Sequence, residues 1–359
     1  VSEPPVSPFL TAPQHSPRPL PLFLDMLRAE TAASPDRQAA ALAGLRAYQQ
    51  ASRGRPQRRA PARFRKGRAR LRDYGHKGGG RRPLILVPSL INPPGILDLT
   101  PDVSLLRWLA AQGFHPYLLD WGSPTPADRA MDVTGHVEQL LLPLIARLGE
   151  PPVLVGYCLG GTMALAAACA APVAGLALIA GPWRFDGFGD AARADIARLW
   201  AAAGPVCETM GAVPMEVLQS GFWRLDPQRT IAKYEAFAAM EPGSRGAQLF
   251  VAMEDWANAG APLTYAAGRQ LFEEFIAGDV TGSGAWRVGG VLADPAALSC
   301  PAIDFVSLSD RIVPAESAAD LPDRRDLGAG HVGMIVGRGG RAQLWEPLAH
   351  WIGALPRST

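Results

Sequence analysis

Cysteine is scarce in this chain. Four cysteines among 359 residues, at positions 158, 169, 207 and 300, are too few for a disulfide framework. No two are spaced as C-x-x-C, which argues against the common structural zinc sites. Surplus charge is scarce as well. The 35 basic and 33 acidic residues leave a formal charge of +2, so the overall balance points to no nucleic-acid partner. The opening stretch VSEPPVSPFLTAPQHSPRP has no basic segment followed by an apolar one, and a secretory leader is not expected from it. A cytoplasmic chain is the expectation from these absences taken together. One charge-free run, Thr162 to Trp183, is long enough to span a bilayer, but it is rich in alanine and holds Pro172 and Gly175. A buried helix, a turn and a buried strand account for it better, and no transmembrane segment is expected.

What the chain does have is an ordinary globular composition, 48% hydrophobic and 19% charged, with length for one large domain or two. Residues 1–20 are proline-rich and read as irregular. Residues 21–51 carry helical periodicity broken near Ser34-Pro35. Residues 52–72 hold ten Arg or Lys and read as a solvated basic arm leading into an edge strand around Arg68–Tyr74. From Pro83 the pattern changes. Apolar runs at 83–90, 115–124, 151–158 and 173–182 alternate with helical spacing at 104–114, 134–149 and 162–171. That alternation predicts βαβ units and a mostly parallel sheet flanked by helices. Residues 184–278 are helical in pattern and read as an inserted cap. A short hairpin is expected at 286–294, and the sheet resumes at 300–314 and 324–331 before a closing helix at 341–355. The expected division is an N-terminal extension (1–67), an α/β core (68–183 with 279–359) and the cap (184–278).

The opening scarcity makes one cysteine conspicuous. Gly156-Tyr157-Cys158-Leu159-Gly160 fits G-x-nucleophile-x-G and lies between a buried strand and a helix, the setting of a nucleophile elbow. Glycines flank the nucleophile because the backbone there is strained and close to its neighbours. The helix N-terminus favours a thiolate at Cys158, and the Leu159 amide is set to hold an oxyanion. A cysteine nucleophile needs a base and an acid to orient it. His331 in GAGHVG and Asp310 in SLSDRIVP supply them, in the nucleophile–acid–histidine order of the α/β-hydrolase fold. Asp304 is a rival acid, but it sits inside its strand and not beyond the end. His15, His76, His115, His136 and His350 read as surface or packing residues, and Cys169, Cys207 and Cys300 as buried thiols.

At these residues the chain resembles the polyhydroxyalkanoate synthases, from about Arg70 to Gly353. LVPSLINPPGILDL (86–99) is similar to that family's apolar strand followed by P-x-x-I-N and I-L-D-L. GYCLGGT is similar to its G-x-C-x-G-G box, SDRIVP to its D-x-I-V-P segment and GHVGMIVG to its G-H-I-x-G segment. Arg311 stands where the family often has His. The length resembles the short catalytic subunits that act with a second protein. The resemblance implies an α/β-hydrolase fold, with Cys158 as nucleophile, His331 as base and Asp310 as its partner. It implies transfer of 3-hydroxyacyl groups from CoA to a growing polyester. Esterase, thioesterase or depolymerase action by the same triad is the alternative, since water can replace the acceptor hydroxyl. A second oxyanion donor is expected in the Ser89–Leu90 loop, with Leu90 as the residue. Ser89, Asn92 and the cap's Trp256 are expected to contact substrate, and Trp183 is weighed as channel or core. No metal or resident cofactor is expected, and CoA enters as part of the substrate. Expected partners are the hydroxyacyl-CoA or polyester, a granule surface, and a second copy or synthase subunit.

Overall fold

The computed structural model describes residues 15–53, 57–75 and 82–356. Residues 1–14 of the irregular segment, and His76, lie outside the described residues. Contacts divide the chain into two compact units. One comprises residues 57–218 and 260–359, and the other draws on residues up to 56 and on 219–259.

The larger unit is built on eight strands: β1 (Ala62–Lys66), β2 (Ala69–Asp73), β3 (Pro83–Val87), β4 (His115–Asp120), β5 (Val153–Tyr157), β6 (Gly175–Ile179), β7 (Ala302–Ser307) and β8 (Asp323–Leu327). Their order across the sheet is β1-β2-β4-β3-β5-β6-β7-β8. From β4 to β8 every pairing is parallel, while β1–β2 and β2–β4 are antiparallel. The expected α/β-hydrolase architecture is therefore present: a mostly parallel sheet with helices on its faces. Strands β3, β5 and β6 are buried along their whole length, because both faces of a parallel sheet are covered and a continuous apolar run suits that setting. The charge-free run divides into a helix, Leu159–Ala170, and β6. Ten residues of that helix are buried, so it has no solvent face to mark with polar residues. Among the described residues no helix is long and apolar enough to cross a membrane.

The basic run holds more order than its composition suggests. It forms a hairpin, with Phe64 opposite Leu71 and Arg65 opposite Arg70. Only the Phe64 and Leu71 face carries apolar groups, so the arginines mask β1 as a strand. The hairpin expected near 286–294 pairs Arg287–Val288 with Val291–Leu292.

The second unit packs the helices Leu20–Thr31, Pro35–Gln50, Pro227–Ala238 and Arg245–Ala257 around Phe23, Leu27, Tyr48, Tyr234 and Phe250. Ser34 caps the second helix by accepting a hydrogen bond from the Arg37 amide, which accounts for the break in periodicity there. Its polar core is paired: the Tyr234 hydroxyl donates to Glu254 (2.7 Å), and Arg53 binds Asp255 through two nitrogens (3.0 Å each).

Candidate active site

Strand β5 ends at Tyr157 and the helix Leu159–Ala170 begins at once. Cys158, between them, has φ 57 and ψ −135. A non-glycine residue rarely adopts this, and the surroundings must hold it there. Two hydrogen bonds do so: the Cys158 amide donates to the Ile179 carbonyl (3.0 Å), and the Gly161 amide donates to the Cys158 carbonyl (2.7 Å). Close approach explains the glycines around it. A Cβ on Gly160 would stand 2.1 Å from the Val87 carbonyl oxygen, and one on Gly156 would stand 2.5 Å from the Gly161 Cα. The half-buried thiol therefore stands at the positive end of a twelve-residue helix.

The acid and the base arrive from the far side of the sheet. Asp310 follows β7, and its side chain is fully shielded. One carboxylate oxygen accepts from the Ile312 and Val313 amides (2.7 and 3.1 Å). The other accepts from His331 Nδ1 at 2.5 Å. His331 is buried on the loop after β8, where the charge of the Cys158 sulfur acts on it. With Nδ1 committed to Asp310, Nε2 is the nitrogen left for the thiol. Burial alone would lower the basicity of the ring. The negative charges of Asp310 and Cys158, with the hydrogen bond to Asp310, overcome that and push it up to about 10.

The remaining expected residues divide. Ser89 and Leu90 lie in the loop after β3, the neighbour of β5, and the elbow's Gly160 abuts Val87 and Pro88 at its start. The Leu159 amide and this loop therefore share one sheet edge. The Ser89 hydroxyl accepts from the Ile91 amide (3.1 Å) and so shapes its own loop, while Leu90 and Asn92 are half-buried. Trp256 belongs to the other compact unit, half-buried on its helix. Trp183 is buried against Trp286, with centroids 6.1 Å apart, which makes it core.

Asp304 accepts only a long bond (3.4 Å) from the Ala319 amide, and burial raises its carboxyl to about 7. His136 is pulled down to about 4, chiefly by burial. His115 pairs with Asp73 at 2.9 Å. Burial raises the thiols of Cys169, Cys207 and Cys300. Among the described residues no cluster of three His, Cys, Asp or Glu side chains is placed to hold a metal.

One residue of the site escaped the sequence reading. Tyr157 is buried, its ring stacks on His331 (centroids 5.0 Å, 28° between planes), and its hydroxyl donates to the His331 carbonyl (3.2 Å). Its place directly before the cysteine was the available signal.

Comparison with known proteins bears on the fold and the family. A profile of the alpha/beta hydrolase family matches residues 84–339. The Poly(3-hydroxyalkanoate) polymerase subunit PhaC of Haloferax mediterranei is 29% identical over 285 residues, covering 75% of this chain and 58% of its own length. The subunit of the same name from Allochromatium vinosum is 27% identical over 289 residues, covering 75% of this chain and 80% of its own. The chain spans 58% and 60% of the Haloferax and Haloarcula marismortui relatives. The crystal structure of VinJ is 16% identical, with a TM-score of 0.50 over 82% of this chain and 100% of that one, a likeness of fold alone. The glycine-lined elbow, the acid and base beyond their strands and the matched profile have one reading: the chain belongs to the alpha/beta hydrolase family, and it is similar to the polyhydroxyalkanoate polymerase subunits.

Proposed function

We propose that the protein is an acyltransferase that moves 3-hydroxyacyl groups from CoA thioester to a growing polyester, through an acyl-enzyme on Cys158. The observation that carries this is a strained elbow cysteine that shares the sheet edge with a buried His331–Asp310 pair. A thiol nucleophile suits a thioester donor, because exchange of one thioester for another is nearly isoenergetic.

In this reading the Cys158 sulfur attacks the acyl carbon, and the oxyanion is held by the Leu159 amide and an amide of the Ser89–Leu90 loop. The carbon–sulfur bond to CoA breaks, and His331 gives its proton to the departing sulfur. His331, now neutral, takes the proton of an incoming hydroxyl as that oxygen attacks the acyl-enzyme. An ester forms and the Cys158 thiolate leaves. Asp310 holds the ring with Nε2 toward the reacting groups throughout. Ser89 and Asn92 on the loop after β3 are proposed as substrate contacts. A granule surface and a second synthase subunit are proposed as partners.

The test is incubation of the purified chain with 3-hydroxybutyryl-CoA beside Cys158→Ala, following CoA release and product form together. CoA release with insoluble polyester, absent from the variant, is expected. Release with soluble hydroxy acid alone replaces the synthase reading with hydrolysis by the same triad.

A further inference from the structure

His331 has a positioning problem that the triad does not solve. It is carried on the loop after β8, and two strands, β6 and β7, stand between β8 and the nucleophile strand β5. Asp310 anchors the ring from β7, one strand away. That bond fixes one ring nitrogen but leaves the plane free to pivot about it, and a pivot swings Nε2 off the thiol. Something on the β5 side has to set the plane.

We propose that Tyr157 is the positioning residue that fixes the His331 imidazole against Cys158, gripping the base at both ends. Its ring lies nearly parallel to the imidazole at 5.0 Å and 28°, which blocks rotation of the plane on that side. Its hydroxyl donates to the His331 backbone carbonyl at 3.2 Å, which ties the loop to β5. One side chain thus restrains both the ring and the backbone that carries it. Placement comes from the elbow: Tyr157 is the last residue of β5, its amide-bonded neighbour is the nucleophile, and it pairs with Ile179 of β6. The distance between base and nucleophile is thereby set by a residue covalently next to the nucleophile. Burial, with the negative charges of Cys158 and Asp310, pushes the phenol well above its ordinary value, so the hydroxyl stays a donor across the working range. The aromatic face also favours the charged form of the ring stacked on it.

This role rests on the proposed triad, and its test separates the two. The variants are Tyr157→Phe, which keeps the ring and deletes the hydroxyl, and Tyr157→Leu, which deletes both. Tyr117→Phe is the control, since Tyr117 stacks on His115 in the same way (4.7 Å, 18°) away from the elbow. The readouts are kcat and KM on 3-hydroxybutyryl-CoA, and substrate-free titration of the His331 ring by nitrogen-15 NMR, assigned with His331→Gln. Tyr157→Leu is expected to lower kcat about 10-fold with KM nearly unchanged, as loss of an orienting partner does. It is also expected to move the His331 midpoint down by about one pH unit. Tyr157→Phe is expected to lower kcat about 3-fold and keep most of the midpoint, because the stack persists. Tyr117→Phe is expected to move neither. A folded Tyr157→Leu that keeps both kcat and midpoint overturns the proposal. If that variant does not fold, Tyr157→Phe decides through the hydroxyl alone, and an unchanged kcat overturns it. Absence of turnover in the parent sinks the acyltransferase reading, and the titration still decides the role of Tyr157.

Discussion

The sheet of the larger unit carries the same trio twice, an aspartate, a histidine and a tyrosine, at opposite ends of its parallel strands. At the carboxyl end His331 binds Asp310 at 2.5 Å and stacks on Tyr157. At the amino end His115, the first residue of β4, binds Asp73 at 2.9 Å and stacks on Tyr117. The differences are what make one a candidate machine. The side chains of His331 and Asp310 are 8% and 0% exposed, against 23% and 24% for His115 and Asp73, so charge–charge attraction acts at lower effective dielectric at the first site. His331 spends Nδ1 on its carboxylate and turns Nε2 inward, whereas His115 spends Nε2. Above all, a strained thiol at a helix N-terminus faces His331. A His–Asp pair is therefore no mark of catalysis by itself. Burial, the choice of nitrogen and a positioned nucleophile are, and ligands of open α/β sheets bind at the carboxyl end.

The largest test of this contrast is deletion of the nucleophile. Cys158→Ala is expected to lower turnover of 3-hydroxybutyryl-CoA by about 10⁵-fold or more, while His115→Ala changes it less than about 2-fold. Steady-state CoA release measures both. Equal losses would erase the distinction between the two trios. Next in size is the acid. Asp310→Asn should cost about 10⁴-fold in kcat, because the amide no longer holds the productive tautomer. Asp73→Asn should leave kcat near that of the parent.

Packing gives a third, smaller test. A Cβ on Gly160 meets a backbone carbonyl at 2.1 Å, whereas one on Gly75 meets the His115 ring at 2.4 Å. A ring on a partly exposed side chain can turn aside and a carbonyl in a sheet cannot. Gly160→Ala should therefore destabilise by about 3 kcal/mol or more and Gly75→Ala by about 1 kcal/mol, read as urea midpoints. A milder cost at Gly160 would mean the elbow has slack.

The smallest test is the pH dependence of stability. His331 is raised to about 10 in the folded chain by Asp310 and Cys158 against its own burial. Its contribution is complete below the unfolded value near 6.5 and is lost as pH rises through about 10. His136 has the opposite sign. Burial lowers it to about 4, so its contribution is present above about 6.5 and lost as pH falls through 4. Urea midpoints should thus sag on both sides. His331→Gln should flatten the alkaline side while leaving the acid side in place. A sag on the alkaline side that survives His331→Gln would assign it to other groups.

Much of this was legible in the chain because the physics is local. The run PPVLVGYC is apolar throughout, as a strand covered on both faces must be, and the glycines beside Cys158 signal an approach that no side chain permits. Asp310 stands beyond the end of its strand, where a side chain can turn over the sheet edge, whereas Asp304 is locked within β7. Other features left no local trace. The strand Ala62–Lys66 hides among arginines because its register exposes them. The packing of 219–259 with the first helices joins residues nearly two hundred positions apart. The grip of Tyr157 on His331 spans 174 residues.

By itself, then, the sequence determined the alternation of strands and helices, the elbow and the set of groups able to serve as nucleophile, base and acid. Each follows from the hydrophobic period or steric size of neighbouring residues. Only the tertiary structure decided which nitrogen of His331 is spent on the aspartate, how deeply the pair is buried and which tyrosine holds it. Those outcomes depend on strand order across the sheet and on burial, and both are set by packing among residues far apart in the chain.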